Sequence, residues 1–125
     1  MKKLCILHIE DDPADAELVG LALHAAHLEC DIQVVRSRKE CVQALEERRF
    51  DLVLSDSHGH DFSASELLVL VRGYLPGVPF IHVSGSFLDR DPETLKAQGA
   101  TGAVLKDDLR ELAALVQDVA RGLPD

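Results

Sequence analysis

The stretch that decides the fold is LCILHIEDDP, residues 4–13. The run from Leu4 to Ile9 is almost entirely apolar and predicts a β-strand that is covered on both faces, because a half-exposed strand alternates apolar and polar side chains. Asp11 and Asp12 follow, and Pro13 is a favoured first-turn residue of a helix, behind a capping acid. The stretch therefore predicts a buried strand, an acidic junction and a helix.

The same alternation of short apolar runs with helical spacing recurs along the chain. The five predicted strands are Leu4 to Ile9, Ile32 to Val35, Leu52 to Leu54, Phe80 to Val83 and Ala103 to Leu105. Alternating strands and helices predict an α/β fold with a parallel sheet and helices on both faces.

Two of the helices are marked by a repeating apolar face. The helix that begins at Pro13 has its predicted apolar face at Leu18, Leu21, Ala22 and Ala25. In the last helix the repeating residues are Leu109, Leu112, Val116, Val119 and Leu123, and Asp107 or Asp108 is the predicted N-cap. An apolar patch on that helix could pair two copies into a homodimer, or could equally be core.

Composition limits the function. A chain of 125 residues, 46% of them hydrophobic, predicts one globular domain over residues 1–125. The net charge of −9 argues against direct binding of nucleic acid, which needs clustered Lys and Arg. With no signal peptide and no apolar run near the roughly 20 residues of a membrane span, we expect a cytoplasmic protein without membrane contact. Three cysteines without C-x-x-C spacing predict free thiols.

Polar residues stand where the predicted strands end. They are Glu10, Asp11, Asp12, Asp56, Ser84 and Lys106. In a parallel α/β sheet, ligands bind beyond the carboxyl ends of the strands. If the first and third strands are neighbours, the carboxylates converge and need a cation, and hard oxygen ligands favour Mg²⁺. An acid cluster, a hydroxyl and a lysine suit a phosphoryl group, and a carboxylate can be the nucleophile that forms an aspartyl phosphate.

Four stretches in this order resemble the receiver domains of two-component response regulators. They are ILHIEDDPADAELV with Asp11 and Asp12, DLVLSDS with Asp56, VPFIHVSGS with Ser84, and GATGAVLKDDL with Lys106. The resemblance spans nearly the whole chain. It implies a flavodoxin-like, doubly wound (βα)5 fold, whose five parallel strands have the order 2-1-3-4-5.

The resemblance also implies roles for single residues. Asp56 is similar to the phosphoacceptor, Ser84 to the switch hydroxyl and Lys106 to the phosphoryl-binding lysine. Asp12, Asp56 and the main-chain carbonyl of His58 would bind Mg²⁺ directly, and Asp11 mainly through water. The implied partners are a histidine kinase or phosphotransfer protein as donor and a downstream protein or domain as target. The implied role is signalling rather than enzymatic turnover, beyond self-phosphorylation from phosphodonors and autodephosphorylation.

The chain departs from the family pattern at several places. Gly59, His60 and Ala64 replace the usual apolar residue, proline and glycine after the phosphoacceptor. Ala103 stands where the family often has an aromatic, and Asp107 where it commonly has a proline on a cis bond. These departures leave open a second interpretation, a pseudo-receiver that binds partners without phosphorylation.

Other interpretations of single residues compete with these. His58, His60 and Asp61 have a spacing that metallohydrolases use, although a closed zinc site needs about four ligands. Asp11 or Asp12 could serve only as a helix cap. His8 and His82 lie within apolar strands and are predicted to be core residues. Phe62, Leu67, Leu68, Leu70 and Val71 are predicted to form one buried helix face. The chain could act alone or be one module of a larger sensor kinase.

Overall fold

Strands and helices alternate through the described part of the chain. The computed structural model describes residues 3–56, 64–84, 100–105 and 108–122, and for residues 56, 64, 65 and 84 only the backbone. The strands are β1 (Leu4–Ile9), β2 (Cys30–Val35), β3 (Leu52–Asp56), β4 (Phe80–Ser84) and β5 (Gly102–Leu105). The helices within those ranges are α1 (Pro13–Ala25), α2 (Arg38–Glu47), α3 (Ala64–Tyr74) and α4 (Leu109–Gly122).

The five strands form one parallel sheet in the order β2-β1-β3-β4-β5. This confirms the α/β class and the flavodoxin-like strand order 2-1-3-4-5. Four of the strands extend beyond their predicted bounds, and two of the extensions concern the site. Asp56 and Ser84 are the last residues of β3 and β4 rather than the first residues of loops.

Helices cover both faces of the sheet, as predicted. On one face, α2 and α3 pack through Cys41, Leu45, Leu67 and Leu68 against a cluster that includes Phe80. On the other face, α1 and α4 pack against a second cluster; its helix residues are Val19, Leu23, Leu112, Ala113 and Val116, and its strand residues include Ile6, Leu54, Ile81 and Val104. Two separate cores hold the strands in place, so the positions at which they end are set by rigid packing.

The predicted apolar face of α1 is wrong. Leu18 and Leu21 are 52% and 57% exposed, whereas Val19 and Leu23 are the buried residues of this helix. The helix carries apolar side chains on two opposite sides, and periodicity alone does not say which side meets the sheet.

The last helix agrees with its prediction where it is described. Leu112 and Val116 are buried, and Leu109 and Val119 pack partly buried against the same core. The apolar side of α4 is therefore core. Asp108 is the cap: the N–H of Glu111 donates to its Oδ1 at 3.1 Å. Leu123 and the other candidate cap, Asp107, lie outside the described residues.

Other predicted core residues occupy the core. His8 and His82 are buried, as are Leu67, Leu68 and Val71, with Leu70 packed partly buried beside them. Phe62 lies outside the described residues. The three cysteines are free thiols: Cys41 is buried, and Cys5 and Cys30 are half-buried. Within the described ranges, no helix is long and apolar enough to cross a membrane.

Candidate functional site at the carboxyl edge of the sheet

The strand register brings the predicted site residues to one edge of the sheet. Ile9 at the end of β1 is paired with Ser55 of β3, and Asp56 is paired with Val83 of β4. Adjacent strands lie about 4.8 Å apart. Asp56 therefore ends its strand one position beyond the last pair of β1 and β3, beside the chain that continues from β1 into the acidic residues.

Asp11 and Asp12 follow β1 at this edge of the sheet and face the solvent. Both are exposed. Asp12 is the N-cap of α1, with extended backbone (φ −95°, ψ 111°), and its Oδ1 accepts a hydrogen bond from the N–H of Ala14 at 2.9 Å. The capping role weighed in the sequence is therefore real for Asp12. It leaves acceptor capacity on the carboxylate, since two oxygens carry about four lone-pair sites.

Glu10 is separated from its two acidic neighbours. It is only 1% exposed, and its N–H donates to the carbonyl of Val35 at 2.9 Å. It lines a small cavity between α1, α4 and the sheet, with His8, Asp15, Leu18, Val19, Val83 and Leu109; Leu18 lies at the outer rim, since it is 52% exposed. The acidic run thus divides into one core carboxylate and two surface carboxylates. The sequence indicates this burial. Ile6, His8 and Glu10 are spaced by two residues and so lie on the same face of the chain, and Ile6 and His8 are both buried.

The residue before Asp56 is fully buried. Ser55 is 0% exposed and is paired in register with His82, which is also 0% exposed. Sequence reasoning placed His82 in the core but missed Ser55, because serine after an apolar run is also typical of a loop. The pair of residues one position before Asp56 and Val83 in β3 and β4 is therefore fully buried, directly next to the proposed site.

The other end of the edge is formed by β4 and β5. Ser84, the last residue of β4, is paired with Leu105, the last residue of β5, and Lys106 is the next residue in the chain. The last residue of β5 therefore lies at the same edge as Asp56 and Ser84, one position before Lys106 in the sequence. Ala103, where an aromatic was expected from the resemblance, is half-buried and paired with His82.

Several predicted site residues lie outside the described ranges. They are His58, Gly59, His60, Asp61, Lys106 and Asp107, and the side chains of Asp56, Ala64 and Ser84 belong with them. Among the side chains that the structure does describe, no three of the His, Cys, Asp or Glu residues form a group that could hold a metal. The predicted metal set and the metallohydrolase set both include residues beyond those ranges.

A comparison of the sequence with known protein families finds no matching family. A curated relative, transcription factor SKN7 of Saccharomyces cerevisiae, is 27% identical over an alignment of 111 residues that covers 86% of this chain. The chain spans only 18% of the length of SKN7.

Solved structures match over nearly the full chain. The signal receiver domain of a signal transduction histidine kinase from Syntrophus aciditrophicus is 25% identical, with a TM-score of 0.77 over 96% of this chain and 92% of that one. The phosphorylated cyanobacterial phytochrome response regulator RcpA gives 22% identity, a TM-score of 0.76, and coverages of 96% and 93%. The Mn²⁺-bound form of the response regulator Rcp1 is 18% identical, with a TM-score of 0.78 over 97% of this chain and 97% of that one. The resemblance carried by the four motifs is confirmed, and the chain has the fold of a response regulator receiver domain.

Proposed function

We propose that the chain is a receiver module of a two-component phosphorelay, formed by one domain over residues 1–125. Asp56 accepts a phosphoryl group from a phosphohistidine on a histidine kinase or phosphotransfer protein. The observation that supports this most directly is the register at the sheet edge. The carboxyl ends of β1, β3, β4 and β5 lie at one edge of the sheet. In the sequence, Asp11, Asp12, Asp56, Ser84 and Lys106 stand at those strand ends or within three residues after them.

The residues present suit a hard divalent cation. Asp12 and Asp56, with the main-chain carbonyl of His58, would hold Mg²⁺ directly, and Asp11 would act mainly through a bound water. All of these donors are oxygens, which Mg²⁺ prefers, and Mg²⁺ usually takes only one or two protein carboxylates. A solved neighbour with this fold is a Mn²⁺-bound response regulator. When bound, the ion supplies charge neutralisation to the phosphoryl oxygens.

In the proposed reaction, a carboxylate oxygen of Asp56 attacks the phosphorus of the donor. The P–N bond to the donor imidazole breaks, and its electron pair stays on the imidazole nitrogen, while a new P–O bond makes the acyl phosphate. Lys106 would pair with a phosphoryl oxygen, and the hydroxyl of Ser84 would donate a hydrogen bond to another. Water later hydrolyses the acyl phosphate and returns Asp56 to the free carboxylate.

The consequence of phosphorylation is a change of surface rather than of a substrate. The added charge would draw Ser84 and Lys106 inward and shift the loop from Ser84 to Asp91 between two arrangements. That surface would be recognised by a downstream protein or domain. We therefore propose a cytoplasmic signalling module rather than an enzyme that turns over a small substrate.

A second candidate is a pseudo-receiver that binds partners without phosphorylation. The observation that favours it is Ala103. It is a half-buried residue of β5, one strand from the proposed site, and it has no ring that could move on phosphorylation.

Intact mass measured after incubation with acetyl phosphate or phosphoramidate separates these candidates. With Mg²⁺, we expect a gain of one phosphoryl group that is lost without Mg²⁺ and in Asp56→Asn. Asp118→Asn is the matched control, since Asp118 is an exposed acid of α4 paired with Arg121 at 2.9 Å, and it should behave like the wild type. If the wild type gains no mass, the receiver proposal fails and the pseudo-receiver stands.

A further inference from the structure

The solvent side of α1 carries a continuous apolar stripe. Ala14, Leu18, Leu21 and Ala25 are all exposed, and they follow one another at intervals of four, three and four residues. On a helix this spacing keeps all four side chains on one line, opposite the buried Val19 and Leu23. The α1 stripe, as we call these four residues, is a second apolar face of the helix that is exposed in a single copy.

The stripe differs from the isolated apolar residues elsewhere on the described surface. Val69 on α3 is 74% exposed, more than either leucine, but its helix neighbours three residues away, Glu66 and Arg72, are charged. Single exposed apolar residues are normal on soluble proteins, whereas contiguous apolar patches are typical of interaction sites. Alternating intervals of three and four residues are typical of contacts between two helices.

The stripe is complementary to itself. From either end it reads small, large, large, small, and the intervals are the same in both directions. In a second copy placed antiparallel about a two-fold axis, Leu18 of one copy lies beside Leu21 of the other. Ala14 then faces Ala25, and these small side chains let the helix ends approach closely.

The charges on one flank fit the same arrangement. Glu17 and His24 are both exposed and, being seven residues apart, lie on the same side of the stripe. An antiparallel pair brings Glu17 of each copy beside His24 of the other, which gives two complementary contacts. In a parallel pair these flanks would lie on opposite sides of the contact, so Glu17 and His24 would not meet. Antiparallel helices also place opposite ends of their dipoles side by side.

We propose that two copies of this chain associate through the α1 stripe as an antiparallel helix pair. A helix of 13 residues is about 20 Å long, so the contact belongs to the small class of interfaces below about 1,200 Å². The dimer is therefore weak and in rapid exchange with the monomer. The inference uses only the exposed side of α1 and does not depend on phosphorylation.

Sedimentation velocity of the unphosphorylated protein, up to about 1 mM, is the first test, because a concentration of that order populates even a millimolar complex. We expect the sedimentation coefficient to rise with concentration for the wild type. Leu21→Lys should weaken association by about tenfold or more. Val69→Lys, which places the same charge on an exposed apolar residue of α3, should leave it unchanged. Circular dichroism would show that both variants are folded.

A charge exchange tests the geometry. Glu17→Lys and His24→Glu should each weaken the dimer, and the double variant should restore it, because each introduced lysine then meets an introduced glutamate in the other copy. A wild type that stays monomeric at every concentration overturns the proposal. This is the result expected if the stripe binds a helix of another protein instead. Equal effects of Leu21→Lys and Val69→Lys, or a double variant weaker than both singles, also overturn it.

Discussion

Asp12 has two roles in this account, and a pair of substitutions separates them. It caps α1 through the N–H of Ala14, and it is a proposed ligand of Mg²⁺. Asparagine caps a helix about as well as aspartate, but it has no charge to offer the cation. Asp12→Asn should therefore keep the free energy of unfolding within about 0.5 kcal/mol while weakening Mg²⁺ binding roughly tenfold or more. Asp12→Ala should lose the binding and about 1 kcal/mol of stability as well.

Urea unfolding and calorimetric Mg²⁺ titration measure the two effects. Ser37→Ala is the matched control, because Ser37 caps α2 by accepting from the N–H of Glu40 at 3.1 Å. It should lower stability by a similar amount without affecting Mg²⁺. If Asp12→Asn bound Mg²⁺ as tightly as the wild type, Asp12 would be a cap and nothing more.

Because of Cys41, we expect the free energy of unfolding to fall as the pH rises through the alkaline range. It is fully buried, and burial raises the pKa of its thiol from 9.0 to about 11, although Arg38 acts in the opposite direction. Below pH 9 both the folded and the unfolded chain keep the proton, so the contribution is complete there. As the pH rises from about 9 to 11, only the unfolded chain loses the proton, which favours unfolding by roughly 2–3 kcal/mol in total.

The measurement is the free energy of unfolding of the wild type minus that of Cys41→Ala, taken at about pH 8 and again near pH 10.5. This difference should shrink by roughly 2 kcal/mol. The half-buried Cys30, whose pKa is also raised by burial but is lowered in part by Lys3, should show a smaller change when replaced by alanine. A difference that is constant with pH would mean that Cys41 titrates in the folded chain as it does in the unfolded one.

At the scale of the element, α1 is the helix for which the sequence pattern and the structure disagree. Leu23 is 1% exposed and Leu21 is 57% exposed, two residues apart in the same helix. Leu23→Ala should lower the free energy of unfolding by about 2–4 kcal/mol, because it leaves a cavity in the core. Leu21→Ala should change it by less than about 0.5 kcal/mol. Chemical denaturation at a dilute, monomeric concentration measures both, and similar losses would show that the opposite face of α1 is buried.

At the scale of the molecule, the alternation of strands and helices predicts the parallel sheet, the resemblance to receiver domains implies its strand order, and the site is predicted only in outline. The acids after β1, Asp56 at the end of β3 and Lys106 after β5 identify the carboxyl edge, because every strand in a parallel sheet ends there. The burial of Glu10 and the outward stripe of α1 were not predicted. For Glu10 the sequence did carry a signal, since it lies two residues after His8 and four after Ile6 on the same face of the chain. For α1 the outcome depends on which side of the helix meets the sheet, and a helix that is apolar on two sides does not reveal this in its sequence.

The residues that depart from the family pattern soon after Asp56 are a different case. Gly59 and His60 have no apolar periodicity, so neither spacing nor packing predicts their conformation. The chemistry of the edge must therefore be established by experiment, and the central claim is that one particular carboxylate on it, Asp56, accepts the phosphoryl group.

The most direct test of that claim locates the modified residue. After incubation with a phosphodonor and Mg²⁺, borohydride reduces an acyl phosphate to the corresponding alcohol, which turns the phosphorylated aspartate into homoserine. Peptide mass mapping then reads the position of the homoserine. We expect homoserine at position 56 and unchanged aspartate at positions 11 and 12. Homoserine at position 11 or 12, with position 56 unchanged, would contradict it.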